Sequence, residues 1–178
     1  MLTQEQKVIL QNLDYQPYLD EKGEVNKELE GKIAVYAIFD QSQTIQYIGY
    51  SRNLHKSLLQ HLVRKADSCY WYKYYLIDRP NRSVLEQIKS DWQQENPDFN
   101  LNYEQLKSWT EAIDIRPQMS ELQKQEYQQL DELGKTKLLK KIARQVGDNI
   151  KQQLIDRGLT INLRFNPKLK EQGLVDLK

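Results

Sequence analysis

The chain has 178 residues, 29% of them charged and 39% hydrophobic, with a net charge of +1. That length supports one proper core with room for an appended element, and the near-zero net charge excludes a globally basic polyanion binder. No apolar run approaches a membrane span. The single cysteine, Cys69, excludes an intramolecular disulfide framework and a cysteine-rich zinc site, and two histidines, His55 and His61, argue against a histidine metal cluster.

Thr3 to Leu13 reads as a helix with Val8, Ile9 and Leu13 apolar, behind a polar N-terminus without a secretory pattern. These features together predict a cytosolic or equivalent reducing compartment. Tyr15 to Gly23 is a loop with Pro17 and an acidic turn. Ile33 to Phe39 is rich in β-branched and aromatic residues and reads as a buried strand. Asp40 to Gln43 is a polar turn. Thr44 to Ile48 is a second strand, ended by Gly49. Ser51 or Asn53 then caps a helix with Leu54, Leu58 and Leu62 at four-residue spacing.

Ser68 to Ile77 is a third strand, dense in tyrosine and tryptophan. Alternation puts Tyr70, Tyr72, Tyr74 and Leu76 on one face and Trp71, Lys73, Tyr75 and Ile77 on the other. Either both faces are buried, or one is an aromatic platform open to nucleotide stacking. After a turn, Ser83 to Glu95 is a helix with Leu85, Ile88 and Trp92 inward, stopped by Asn96-Pro97. Residues 103–178 form a mainly helical extension. Tyr103 to Trp109 is a short helix, Arg116-Pro117 a break, and Ser120 to Leu133 a second helix. Lys135 to Arg157 is a third, with Leu138, Ile142, Val146, Ile150 and Leu154 in near-regular repeat. Lys137, Lys140, Lys141, Arg144 and Lys151 occupy its other faces. Gly158 ends it, and Thr160 to Phe165 reads as a last short strand. The leucine stripe leaves a homodimer or a protein-binding scaffold open as a use of this extension.

Between residues 31 and 100, Ala34-Val35-Tyr36, then Tyr47-Ile48-Gly49 followed by Tyr50-Ser51-Arg52-Asn53-Leu54, resembles the signature of the GIY-YIG nuclease superfamily. It most resembles divergent cyanobacterial and plastid-type members that lack the catalytic arginine. The resemblance implies an α/β fold: a small three-stranded antiparallel sheet flanked by helices at 31–102. An N-terminal helical arm at 1–30 would precede it, and the extension at 103–178 would follow.

Enzymes with this signature are metal-assisted phosphodiesterases. A tyrosine helps activate water, an arginine on the first helix steadies phosphate charge, and a glutamate on a later helix holds Mg²⁺. Carried over residue by residue, Tyr36 and Tyr47 match the tyrosines, Gly49 the glycine, and His61 a helix histidine common in the family. The arginine position holds Ser57. Arg64 stands on the same helix face about 10 Å further along, and Arg52 just precedes the helix. Counting back from the family's Pro-x-aromatic-Asn tail, here Pro97 to Asn100, places Ile88 at the glutamate position. Glu86 is a metal ligand only if the helix is two residues longer; otherwise it closes a capping box with Ser83.

The resemblance and the local excess of positive residues from Arg52 to Arg82 predict nucleic-acid contacts at Gly49, Arg52, Asn53, Lys56 and Asn100, with DNA ahead of RNA. The expected function is nucleic-acid binding with hydrolysis weak or lost. The alternatives are an active Mg²⁺-dependent endonuclease with a relocated arginine, or a protein scaffold. Ser57 and His61, one turn apart without an oriented third partner, read as a polar helix face.

Overall fold

A computed structural model describes residues 6–178. The fold is α/β, with six α-helices and a four-stranded antiparallel sheet of order β1-β4-β2-β3 among the described residues. The three strands expected from the sequence are β2 (Ile33–Phe39), β3 (Ile45–Ser51) and β4 (Trp71–Ile77). The fourth, β1 (Gln16–Pro17), comes from the N-terminal arm and pairs with Tyr72 and Trp71 of β4. The expected sheet of three strands is therefore extended by a short edge.

The chain makes no helix over residues 6–13 beyond a single 3-10 turn at Leu10–Asn12, against the helix expected from Thr3; Thr3 to Glu5 lie outside the described residues. Long-range partners take the backbone groups a helix would have used. The Leu10 amide donates to Glu95 (3.1 Å), the Trp92 indole donates to the Val8 carbonyl (3.0 Å), and the buried Lys73 ammonium donates to the Leu10 carbonyl (3.3 Å).

β2 is central and buried on both faces, as its uninterrupted apolar run requires. Ala34, Tyr36 and Ile38 face one core; Val35, Ala37 and Phe39 face another. The β2–β3 register pairs Tyr36 with Gly49 and Ile38 with Tyr47, so Tyr36, Tyr47, Gly49 and Ser51 share the first face. Ile48 and Tyr50 share the second. Gly49 does not end the strand; it lies inside β3, where a Cβ would meet the Tyr47 ring at 2.6 Å. Its role is to let that ring lie across the strand.

On the first face packs α1 (Leu54–Arg64), capped by the Asn53 side chain accepting from the Lys56 amide (3.1 Å). Leu54, Leu58 and Leu62 are fully buried. On the second face packs α2 (Arg82–Glu95), burying Leu85, Ile88 and Trp92. Asn81, not Ser83, is its N-cap, so the expected capping box is not formed and Glu86 is free for another partner. Along β4, Tyr72 and Lys73 are buried, Trp71, Tyr74 and Ile77 are half-buried, and Tyr75 and Leu76 are exposed. The strand is thus covered on both sides over its first half and is no continuous aromatic platform.

The extension is α3 (Tyr103–Thr110), β5 (Ile113–Asp114), α4 (Glu121–Gln129), α5 (Glu132–Asp156), α6 (Pro167–Glu171) and β6 (Leu174–Val175). Asp131 caps α5 through the Gly134 amide, which splits the expected Ser120–Leu133 helix and starts α5 before Lys135. No strand forms over Thr160 to Phe165; only Phe165 makes a bridge, to Leu177, and the small two-stranded ladder is β5–β6. Gln172 and Gly173, with Gly173 at positive φ, turn the chain back so that Val175 meets Ile113.

The extension joins the first core instead of standing apart. Trp109, Ile115, Leu138, Ile142, Leu154, Leu163 and Val175 pack in one cluster with Tyr18, Tyr36, Leu58 and Leu62. The N-terminal arm is tied in as well: Thr160 donates from its amide to the Gly23 carbonyl and from its hydroxyl to the Lys22 carbonyl. Among the described residues, no helix is long and apolar enough to cross a membrane.

Candidate functional site

The hairpin and α1 bring three of the predicted site residues together. The Tyr36 hydroxyl lies 2.7 Å from His61 Nε2. The Tyr47 ring is centred 4.7 Å from the imidazole and 5.9 Å from the Tyr36 ring. All three are buried. Burial, then the neighbouring Tyr47, push the Tyr36 phenol well above its ordinary value, while the Ser57 hydroxyl facing it pulls the other way. Burial also raises Tyr47. His61 is held down at about 3, first by burial and then by the Arg64 guanidinium, against an upward pull from the Trp109 carbonyl. Phenol and imidazole are therefore both neutral at neutral pH. The Tyr36 hydroxyl and Nε2 share one hydrogen bond, and Nδ1 is a buried atom without a hydrogen-bond partner.

What covers the cluster comes from the extension. Trp109, at the end of α3, stacks on Tyr47 with centroids 5.2 Å apart and planes inclined by 17°, and meets His61 edge-on at 5.5 Å. It is itself 2% exposed. Arg64 does not point at the tyrosines as a free cation. One guanidinium nitrogen donates to the Trp109 carbonyl (2.9 Å) and another to Asp176 Oδ2 (2.6 Å), in a pair whose side chains are 9% and 10% exposed. Arg64 Nε and Asp176 Oδ1 remain buried without partners. Trp109 and Asp176 were not among the predicted site residues. Neither carries a local motif, and each reaches the cluster only through the folding back of the extension.

The other predicted residues are placed elsewhere. Ser57 donates to the Ser51 hydroxyl (2.6 Å) and brings no positive charge to the expected arginine position. Arg52 and Lys56 are exposed on the α1 entry, and Asn53 uses its side chain as the helix cap. Asn100 is exposed and lines a hollow with Ile48, Pro97 and Leu106, away from the tyrosines. Glu86 projects from α2, which packs on the second sheet face, opposite Tyr36 and Tyr47. There it accepts from the Tyr50 hydroxyl (2.7 Å) and lies 3.9 Å from Arg82. The hydrogen bond to Glu86 is the main reason the Tyr50 phenol is raised.

These donors do not fit the Mg²⁺ role the resemblance implies. The predicted ligand is across the sheet from the predicted hydroxyls, and the carboxylate on the tyrosine side, Asp176, is engaged by Arg64. Cys69, the single thiol, is fully buried, its Sγ 3.5 Å from the His61 carbonyl; burial pushes it up to about 12.

Compared with known proteins, the chain matches no family model. It is similar to the bifunctional monothiol glutaredoxin-S16, chloroplastic, of Arabidopsis thaliana, 34% identical over 62 residues. That stretch is 35% of this chain and 21% of the plant protein's length.

Proposed function

We propose that residues 31–102 are a GIY-YIG-like domain that binds nucleic acid and has lost phosphodiester hydrolysis, built into one core with its helical extension. The observation that carries this reading is the Tyr36–Tyr47–His61 cluster sealed beneath Trp109. That the two signature tyrosines and the helix histidine meet supports the resemblance, since nothing in local periodicity requires them to. That they meet without solvent, guanidinium or suitable carboxylate supports the loss of hydrolysis.

Each catalytic requirement can be set against a side chain. Water activation needs a hydroxyl that reaches the attacking water and titrates near the working pH. Tyr36 is raised away from that range and is hydrogen-bonded to His61. Transition-state charge on phosphate needs a preorganised donor aimed at it. Ser57 offers a hydroxyl already given to Ser51, and the Arg64 guanidinium is held by Asp176 and the Trp109 carbonyl. The alternative, an active endonuclease using Arg64 and Glu86, requires α3 to leave, Arg64 to break a buried pair and Glu86 to act from the other sheet face. The scaffold alternative is weakened because Leu138, Ile142 and Leu154 are already buried within the chain. A thiol reaction such as the plant protein's name states needs an accessible thiolate, and Cys69 is neither accessible nor acidic.

The test is incubation of labelled branched and linear DNA and RNA with the protein and Mg²⁺ or Mn²⁺, scoring bound and cut substrate together. Salt-sensitive binding without metal-dependent products is expected. Metal-dependent cutting that Tyr36→Phe abolishes would establish the active alternative. Absence of both binding and cutting would overturn the nucleic-acid reading.

A further inference from the structure

With Arg64 held in a buried pair, Arg52 and Lys56 are the exposed cations at the α1 entry of the signature. A second set of cations lies on the extension. Lys137, Arg144 and Lys151 stand seven residues apart on α5, on one face of the helix. At 1.5 Å per residue they are about 10 Å apart, a row about 21 Å long. Among the described residues none of the three makes an ion pair, nor does Lys170 of the packed α6. Lys151 and Lys170 lie over the same Phe165 ring, at 5.2 and 5.4 Å. Lys140 is paired with Glu171 (3.6 Å), and Asp148 is the other acidic group facing the cluster. The positive charges sit close enough to act on one another: burial first, and then Lys151, Arg144 and Lys140, hold Lys170 below its ordinary value against Asp148. A polyanion would relieve that repulsion.

We infer that the Lys137–Arg144–Lys151 row of α5, with Lys170 beside it, is the phosphate-contacting surface through which this chain binds duplex DNA. The inference rests on the proposed nucleic-acid reading and moves its contact from the signature to the extension. The spacing favours DNA. Cations about 10 Å apart match phosphates on the two edges of a major groove about 12 Å wide, whereas the A-form groove of duplex RNA is narrow and deep. A lipid surface fits less well. An interfacial helix inserts its apolar side, and the apolar side of α5 (Leu138, Leu139, Ile142, Ala143, Leu154) is already in the protein core.

The test is fluorescence anisotropy with a labelled duplex of about 30 base pairs over about 50 to 200 mM salt, for the wild type and a Lys137→Gln, Arg144→Gln, Lys151→Gln, Lys170→Gln variant. Binding should weaken at least about tenfold, and the log–log salt slope should fall by about 3 to 4, at about 0.9 per phosphate contact. Because two of the lysines pack on Phe165, Lys151→Met with Lys170→Met keeps the apolar stems and should lower the slope by about 2. Lys107→Gln with Lys124→Gln, distant exposed charges, should leave it unchanged. Unaltered binding in the α5 variants, with loss instead in Arg52→Gln/Lys56→Gln, would overturn this surface while leaving nucleic-acid binding in place. A wild type that binds no DNA would overturn both, as would binding only to phosphatidylserine vesicles; preference for duplex RNA would overturn the assignment to DNA.

Discussion

The signature cluster and the α5–α6 face hold their charges in opposite ways. Around Tyr36, Tyr47 and His61 every ionisable group is neutral or matched internally: two neutral phenols, a neutral imidazole, and an arginine closed on an aspartate. On α5 and α6 the cations face solvent largely unmatched. The first arrangement maximises packing and leaves nothing for a ligand to gain. The second costs self-repulsion and keeps a field that a ligand can use. Residues that resemble a catalytic signature stand here in the centre of a core, and unpaired cations lie on a helix where no signature exists.

Three substitutions should sharpen that contrast from the cluster side. The largest effect belongs to Asp176→Ala, which leaves the Arg64 guanidinium buried and unpaired. Loss of a partner from a buried pair costs about 3–5 kcal/mol, read as a lower urea midpoint at unchanged slope. An unaltered midpoint would mean the pair is open to water. Gly49→Ala comes next. Its Cβ would meet the Tyr47 ring at 2.6 Å, and that ring is held between His61 and Trp109. Overpacking of this kind costs about 1–3 kcal/mol. A smaller cost would show that the Tyr47 ring can move, and with it the Trp109 cover.

The third effect is a pH dependence. His61 is held at about 3 in the folded chain against 6.5 for the free side chain, so the unfolded state binds the proton first. Its contribution is complete above about pH 6.5 and is lost as the pH falls toward about 3, at up to about 1.4 kcal/mol per pH unit. His61→Gln should flatten that slope in the same window. An identical slope in the variant would place the acid sensitivity on other groups.

The boundary between what the sequence revealed and what it hid follows the range of the deciding contacts. The hairpin, α1 and the inward set Leu85, Ile88 and Trp92 were legible because periodicity and caps act within a few residues. Asn53 was one of two cap candidates before Leu54, while the Ser-x-x-Glu pattern at Ser83 drew the cap of α2 two residues past Asn81. The N-terminal helix failed because Trp92, Glu95 and Lys73 claim its backbone groups from about 60 to 85 positions away. Likewise the resemblance named Tyr36, Tyr47 and His61 as candidates for one site, but gave neither their mutual contacts nor their cover. Arg64 and Asp176 are 112 positions apart, and Trp109 carries no feature that distinguishes a lid from an ordinary core tryptophan.

The smallest effect is expected on the other side of the contrast. Lys137→Gln and Arg144→Gln remove exposed charges that make no ion pair among the described residues, and exposed substitutions away from packing features shift stability by no more than about 0.5 kcal/mol. Here the sign is informative as well as the size. Arg144 repels Lys170, so on its removal stability should stay level or rise slightly, and more so at low salt, where screening is weaker. If these variants were instead destabilised like Asp176→Ala, the basic face would be structural. A face that holds unmatched charge at a cost in stability is open to a partner of opposite charge, and denaturation at two ionic strengths measures that cost.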